Sequence, residues 1–146
     1  MPAGRPAAPR VCLNGHIDVV SPGEQPWARD PYGGDVVAGE IHGRGSADMK
    51  GGLIAVLHAA AAIARAAPDL APEIVVQAVP SEEDGGLGTF ATLRRGHRGD
   101  LAVICEPTSG RLVTASAGAL TFRLTVPGRS VHASMRREGV DAVEKY

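Results

Sequence analysis

Aromatic residues are scarce in this chain, at 3% of 146 positions. A core with so few of them rests on Ala, Val, Leu and Ile. Cysteine occurs only as Cys12 and Cys105. Each sits inside an apolar run, so both read as buried free thiols in a reducing, cytoplasmic setting, and neither has the spacing of a cysteine zinc site. The opening residues lack the apolar stretch of a secretory signal. The longest apolar run, around Ala59 to Ala64, is short and Ala-rich, which argues against a bilayer span. Strong charge of one sign is absent too. The formal net charge is −1 with basic residues dispersed, so neither nucleic acid nor a membrane surface is an expected partner. No Gly-x-x-x-x-Gly-Lys-Ser/Thr loop is present, and Ser46, Ser81 and Ser134 have no nucleophile-elbow context, which argues against nucleotide binding and serine chemistry.

What remains is a globular composition, 44% hydrophobic and 21% charged. A compact chain of this length buries roughly 70% of its unfolded surface, enough for a true core. Residues 1–9 are rich in Pro, Ala and Gly and are expected to be loose. Val11-Cys12-Leu13 reads as a short buried strand ending at Asn14-Gly15. From Ser21 to Gly45 the composition is that of loop, with a hairpin through Asp35–Val37 and Glu40–His42. Gly51 to Ala66 is the clearest helix, apolar over most of its surface and therefore expected to be mostly buried. Glu73 to Val79 and Asp100 to Cys105 are near-continuous apolar runs, as in strands covered on both faces. A second helix is expected from Gly88 to Arg95, and a fourth strand over Leu112 to Ser116. Leu120, Phe122, Leu124 and Val126 then alternate with polar residues, which predicts a strand with one wet face. A helix start follows near Gly139 to Tyr146. The change of pattern places a domain boundary near Ser116 to Ala119, giving domains 1–117 and 118–146.

The polar residues at the ends of the buried strands carry the chemistry. His16 and Asp18 follow the first strand, Glu82 and Glu83 follow Glu73–Val79, and Glu106 follows Asp100–Cys105. Open α/β sheets bind ligands beyond the carboxyl ends of their strands, so these side chains can share one crevice. Asp48 enters from the loop before the buried helix, where the helix N-terminus favours a carboxylate. Carboxylates gathered in this way repel one another unless cations lie among them. Imidazole and carboxylate are zinc ligands, and a metal-held water loses its proton easily to a neighbouring free carboxylate. Adjacent glutamates supply one ligand and one general base. Asp18 is placed to accept a hydrogen bond from the far nitrogen of His16 and fix its tautomer. Taken singly, His16 is a satisfied histidine, Glu82-Glu83-Asp84 a solvated acidic turn, Glu106 a turn residue before Pro107, and His132 a loop histidine. Their order along the chain is what outweighs those readings. His42, His58 and His97 read as structural or solvent-exposed.

Three motifs carry a family resemblance: Asn14-Gly15-His16-Ile17-Asp18-Val19-Val20, Gly43-Arg44-Gly45-Ser46-Ala47-Asp48-Met49-Lys50-Gly51-Gly52 and Glu82-Glu83-Asp84-Gly85-Gly86-Leu87-Gly88. With Cys105-Glu106-Pro107-Thr108 and Pro127-Gly128-Arg129-Ser130-Val131-His132-Ala133-Ser134, they match in order and spacing from about Val11 to Tyr146. The chain resembles the metallo-deacylases and peptidases that include acetylornithine deacetylase, succinyl-diaminopimelate desuccinylase, aminoacylase-1 and glutamate carboxypeptidase. The resemblance implies a dinuclear zinc amidohydrolase acting on N-acyl amino acids or related small amides, with cobalt or manganese as possible substitutes. It implies an α/β fold: a zinc-peptidase-like catalytic domain with a central, mostly parallel sheet, followed by the start of a smaller α+β dimerisation domain in a homodimer. By that resemblance His16 and Glu106 hold the first metal, Asp48 bridges both, Glu83 holds the second, Glu82 is the general base and Asp18 orients His16. His132 reaches a partner subunit's active site and stabilises the oxyanion.

The family pattern extends past this chain at both ends. It supplies the second metal's histidine from a later segment, and the only histidine after Glu106 here is His132. The expectation is therefore an internal fragment with an incomplete sheet, one metal well held, and marginal solubility from unpaired sheet edges. Two further readings stand beside the enzyme: a truncated, inactive chain, and a non-catalytic α/β module holding one structural cation.

Overall fold

The computed structural model describes residues 9–68 and 72–146. The loose opening expected for residues 1–9 lies, up to residue 8, outside the described residues. The chain divides into one unit ending at Leu112 and a second running Val113–Tyr146.

The first unit is built on a parallel sheet of three strands in the order β4-β1-β5. Strand β1 spans Arg10–His16, β4 spans Glu73–Val79 and β5 spans Leu101–Ile104. In register, Arg10 faces Glu73 and His16 faces Val79, while Val11 faces Leu101 and Asn14 faces Ile104. Because the strands are parallel, their carboxyl ends lie on one side of the sheet, and the loops that leave them converge there. Strand β1 runs past the Asn14-Gly15 end expected for it, since β4 goes on pairing with it through Gly15 and His16.

Strands β2 (Asp35–Val37) and β3 (Glu40–His42) form the expected hairpin. Its two-residue loop, Ala38-Gly39, has positive φ at both positions (52° and 84°), the turn whose twist suits a hairpin. A wide turn, Ser46–Lys50, with non-helical backbone at Asp48 and Met49, leads into α1 (Gly51–Ala66). Helix α2 (Leu87–Arg94) follows β4. Leu13 of β1 with Leu53 and Val56 of α1 forms the core cluster, flanked by Val11, Ala60, Ile74, Val76 and Cys105.

Two burial expectations fail here. Helix α1 buries only the stripe through Leu53 and Val56, while Ile54 is 54% exposed. Three strands spaced about 4.8 Å apart make a surface too narrow to cover more than one stripe of a helix. Strand β5 is exposed along its length for a related reason: it is an edge strand. A third difference concerns the bilayer. Ser46–Ala66, 21 residues, is long and apolar enough by length and composition to cross one. Its packing on Leu13 and the position of Asp48 at its start favour a core helix.

The second unit contains an antiparallel bridge between Arg129 and Val140, a 3-10 helix over Ala133–Glu138 and a short helix α3 (Ala142–Lys145) capped by Asp141. Neither Leu112 to Ser116 nor Leu120 to Val126 is a strand, and Phe122 is 75% exposed. An alternating segment becomes a strand only when a neighbour takes up its N–H and C=O groups. None does so here among the described residues.

Candidate metal centre

His16 is the last residue of β1 and its side chain is 1% exposed. Its Nδ1 lies 2.9 Å from the backbone carbonyl of Asp18. A carbonyl only accepts, so Nδ1 carries a proton, and in neutral His16 the lone pair sits on Nε2. That nitrogen faces the carboxylates: Asp48 Oδ1 at 3.0 Å, Glu82 Oε2 at 3.9 Å and Glu106 Oε1 at 3.9 Å. Without a cation the contact to Asp48 is satisfied by protonating Nε2 as well. Accordingly, burial draws the His16 pKa down but the Asp18 carbonyl, Asp48, Glu106 and Glu82 outweigh it, and the pKa is raised.

Each carboxylate is placed by a different local device. Asp48 rides on the wide turn before α1. Met49, fully buried beside Gly15, anchors that turn, and the amide of Lys50 closes it on the carbonyl of Gly45 at 3.0 Å. Glu82 and Glu83 follow Ser81, whose φ is 60°. The amides of Gly86 and Leu87 both donate to the Ser81 carbonyl, at 2.6 and 3.1 Å, and so close the turn. Glu106 leaves the sheet just after Cys105, whose carbonyl lies against Gly52 of α1 so closely that no Cβ fits between them. Burial raises the Glu106 pKa, and the charges of Asp48, Glu82 and Glu83 add to that against the pull of His16.

Two sets of donor atoms gather within 4.8 Å of one another: His16, Asp48 and Glu83, and His16, Glu82 and Glu106. Among the described residues, the ion pairs of Asp48, Glu82 and Glu106 run to His16 alone. An outward imidazole lone pair amid under-compensated carboxylates is a donor set that suits zinc, or a harder divalent ion such as manganese. Both sets include His16, and with Nδ1 committed to the Asp18 carbonyl the imidazole serves one ion.

The structure thus brings together His16, Asp18, Asp48, Glu82, Glu83 and Glu106. Geometry alone does not divide Glu82 from Glu83 as base and ligand, because each belongs to one set. Asp18 meets the far nitrogen of His16, though through its main chain. Its carboxylate accepts the amides of Glu82 (3.3 Å) and Glu83 (3.2 Å). Those amides hold the Asp18 pKa down against the opposing effect of burial. No sequence signal marks such a side chain-to-amide contact across more than sixty residues. His132 belongs to the second unit. It is exposed, and its Nδ1 accepts the amide of Ser134 at 3.3 Å and lies 2.9 Å from the Ser134 hydroxyl. The neutral ring therefore carries its proton on Nε2. Of the remaining histidines, His58 and His97 are exposed and His42 is half-buried.

Comparison with known proteins identifies the family. Residues 12–145 match the sequence profile of Peptidase family M20/M25/M40. The chain is 41% identical over 139 residues to succinyl-diaminopimelate desuccinylase of Methylobacterium nodulans, covering 86% of this chain and 35% of that enzyme. It is 35% identical over 146 residues to N-formyl-4-amino-5-aminomethyl-2-methylpyrimidine deformylase of Halalkalibacterium halodurans, covering 92% of this chain and 34% of that enzyme. The chain thus spans about a third of the length of these relatives. A profile that matches nearly the whole chain, with both strand-end motifs converging on one imidazole, establishes that the chain belongs to Peptidase family M20/M25/M40.

Proposed function

We propose that this chain carries the metal-binding part of a hydrolase that cleaves the amide bond of N-acyl amino acids or related small amides. The observation that supports it is the convergence of His16 with Asp48, Glu82, Glu83 and Glu106 beyond the carboxyl ends of three parallel strands. The relatives' names fit: one removes a succinyl group and the other a formyl group. His16, Asp48 and Glu106 would hold one zinc ion, and Asp48 and Glu83 would contribute to a second. Bound zinc supplies Lewis-acid polarisation of the scissile carbonyl and an acidified water.

The chain's own residues then do the rest. The Asp18 carbonyl keeps the Nδ1 proton of His16 in place and its Nε2 directed at the ligand cluster. Glu82 takes a proton on its carboxylate and returns it to the leaving amine. His132, in this reading part of a dimerisation domain beginning near residue 118, donates from Nε2 to the developing negative charge in a partner subunit.

One observation favours a second reading, a chain that holds a single cation without turnover: both donor sets share His16. Calorimetric zinc titration together with an assay for amine release from N-succinyl and N-formyl substrates separates the two. Zinc binding with release supports the hydrolase, and Glu82→Gln is then expected to keep zinc and lose turnover by about 100-fold or more. Zinc binding without release supports the second reading. Failure to bind zinc sinks both.

A further inference from the structure

We infer that the side chain of Asp18 is the positioning residue of the Glu82–Glu83 loop. The two halves of the residue face different partners. The main-chain carbonyl lies 2.9 Å from His16 Nδ1, whereas Oδ1 lies 3.6 Å away, beyond hydrogen-bond reach. Both carboxylate oxygens are engaged elsewhere: Oδ1 accepts the amide of Glu82 at 3.3 Å and Oδ2 the amide of Glu83 at 3.2 Å.

The loop needs this partner. Ser81 turns the chain at φ 60°, and its carbonyl is taken by the amides of Gly86 and Leu87. The turn thereby satisfies its own later amides and leaves those of Glu82 and Glu83 directed outward, two consecutive donors on one side. A carboxylate bridging two successive N–H groups is a charge-assisted contact with one fitting geometry. It fixes where the backbone of both glutamates lies before any cation arrives. An asparagine offers one oxygen to two donors, and an alanine offers none. Any residue at position 18 retains the carbonyl that holds His16.

This inference rests on the proposed roles of Glu82 and Glu83, but its test uses neither zinc nor turnover, so the two fail separately. Asp18→Asn and Asp18→Ala are prepared in the full chain, and amide hydrogen exchange is followed by NMR without added metal. Exchange at Glu82 and Glu83 is taken relative to the amides of β1, so that a general loss of stability cancels. In Asp18→Ala that ratio is expected to rise roughly tenfold to a hundredfold. In Asp18→Asn, the isosteric variant that best preserves the fold, the rise is smaller because one acceptor survives. An unchanged exchange ratio overturns the inference.

Discussion

His16 concentrates the site's chemistry in one ring. Its Nδ1 is committed to a carbonyl, so proton and cation have only Nε2 to contest. His16 and Glu106 are both held above their ordinary values in the cation-free chain, through the Asp18 carbonyl and the carboxylates for one, and burial for the other. A raised folded-state pKa marks a proton bound more tightly in the folded chain. The stability it contributes is present at acid pH and is lost as pH rises through the folded value. Zinc binding at the proposed site would have the opposite dependence, since its ligands must be deprotonated. Its affinity is therefore expected to climb from about pH 6 to about pH 8, with a slope of about one proton released per ion over the imidazole range. Titration calorimetry in buffers of differing ionisation enthalpy counts that proton directly. An affinity that stays flat across this range would show that the imidazole is not a ligand. The gathering of His16, Glu82, Glu83 and Glu106 was legible in the sequence because each follows an apolar run, and parallel strands bring such ends together. The Asp18 carboxylate was not legible in the same way. Its partners are backbone amides, which every residue possesses and no motif records.

At the scale of elements, α1, β4 and the hairpin stand where their patterns predict, because each is specified by local periodicity or turn chemistry. The segment Leu120 to Val126 shows the limit of that argument. Alternation says which face of a strand would be apolar, not whether a neighbouring strand exists to pair with it. Helix α1 also sets the position of Glu106. Its first turn presses on the backbone of Cys105, with Gly52 at the contact: a Cβ there would overlap the Cys105 carbonyl oxygen and sit 3.0 Å from the Cys105 Cβ. Alanine is the better helix former by roughly 1 kcal/mol, so propensity alone would make Gly52→Ala stabilising. Overpacking against a strand end costs about 1–3 kcal/mol and is expected to win. Chemical denaturation should show a net loss of stability, and zinc affinity should weaken as Glu106 is displaced with its backbone. A stabilised variant with unchanged zinc affinity would mean that β5, an exposed edge strand, yields without disturbing the site.

At the scale of the molecule, the site joins segments that the chain keeps far apart: His16, Asp48, the Glu82–Glu83 loop and Glu106. Each hangs on the sheet from one side, and three of the carboxylates face a single compensating ring. Folding without a cation therefore brings like charges together, and this repulsion opposes the packing of α1 and the sheet. A cation at the proposed site would reverse the balance, because it would bind the assembled cluster and not the dispersed residues of the unfolded chain. Zinc at a free concentration 100-fold above its dissociation constant is expected to stabilise the first unit by about 2.7 kcal/mol. Unfolding followed with zinc, and again after chelation, measures the shift. His16→Ala should abolish it, whereas Glu82→Gln should retain it, since in the proposed division Glu82 is the base and Glu83 the ligand. A shift that survives His16→Ala would place the cation on carboxylates alone, and the division of roles between Glu82 and Glu83 would have to be drawn again.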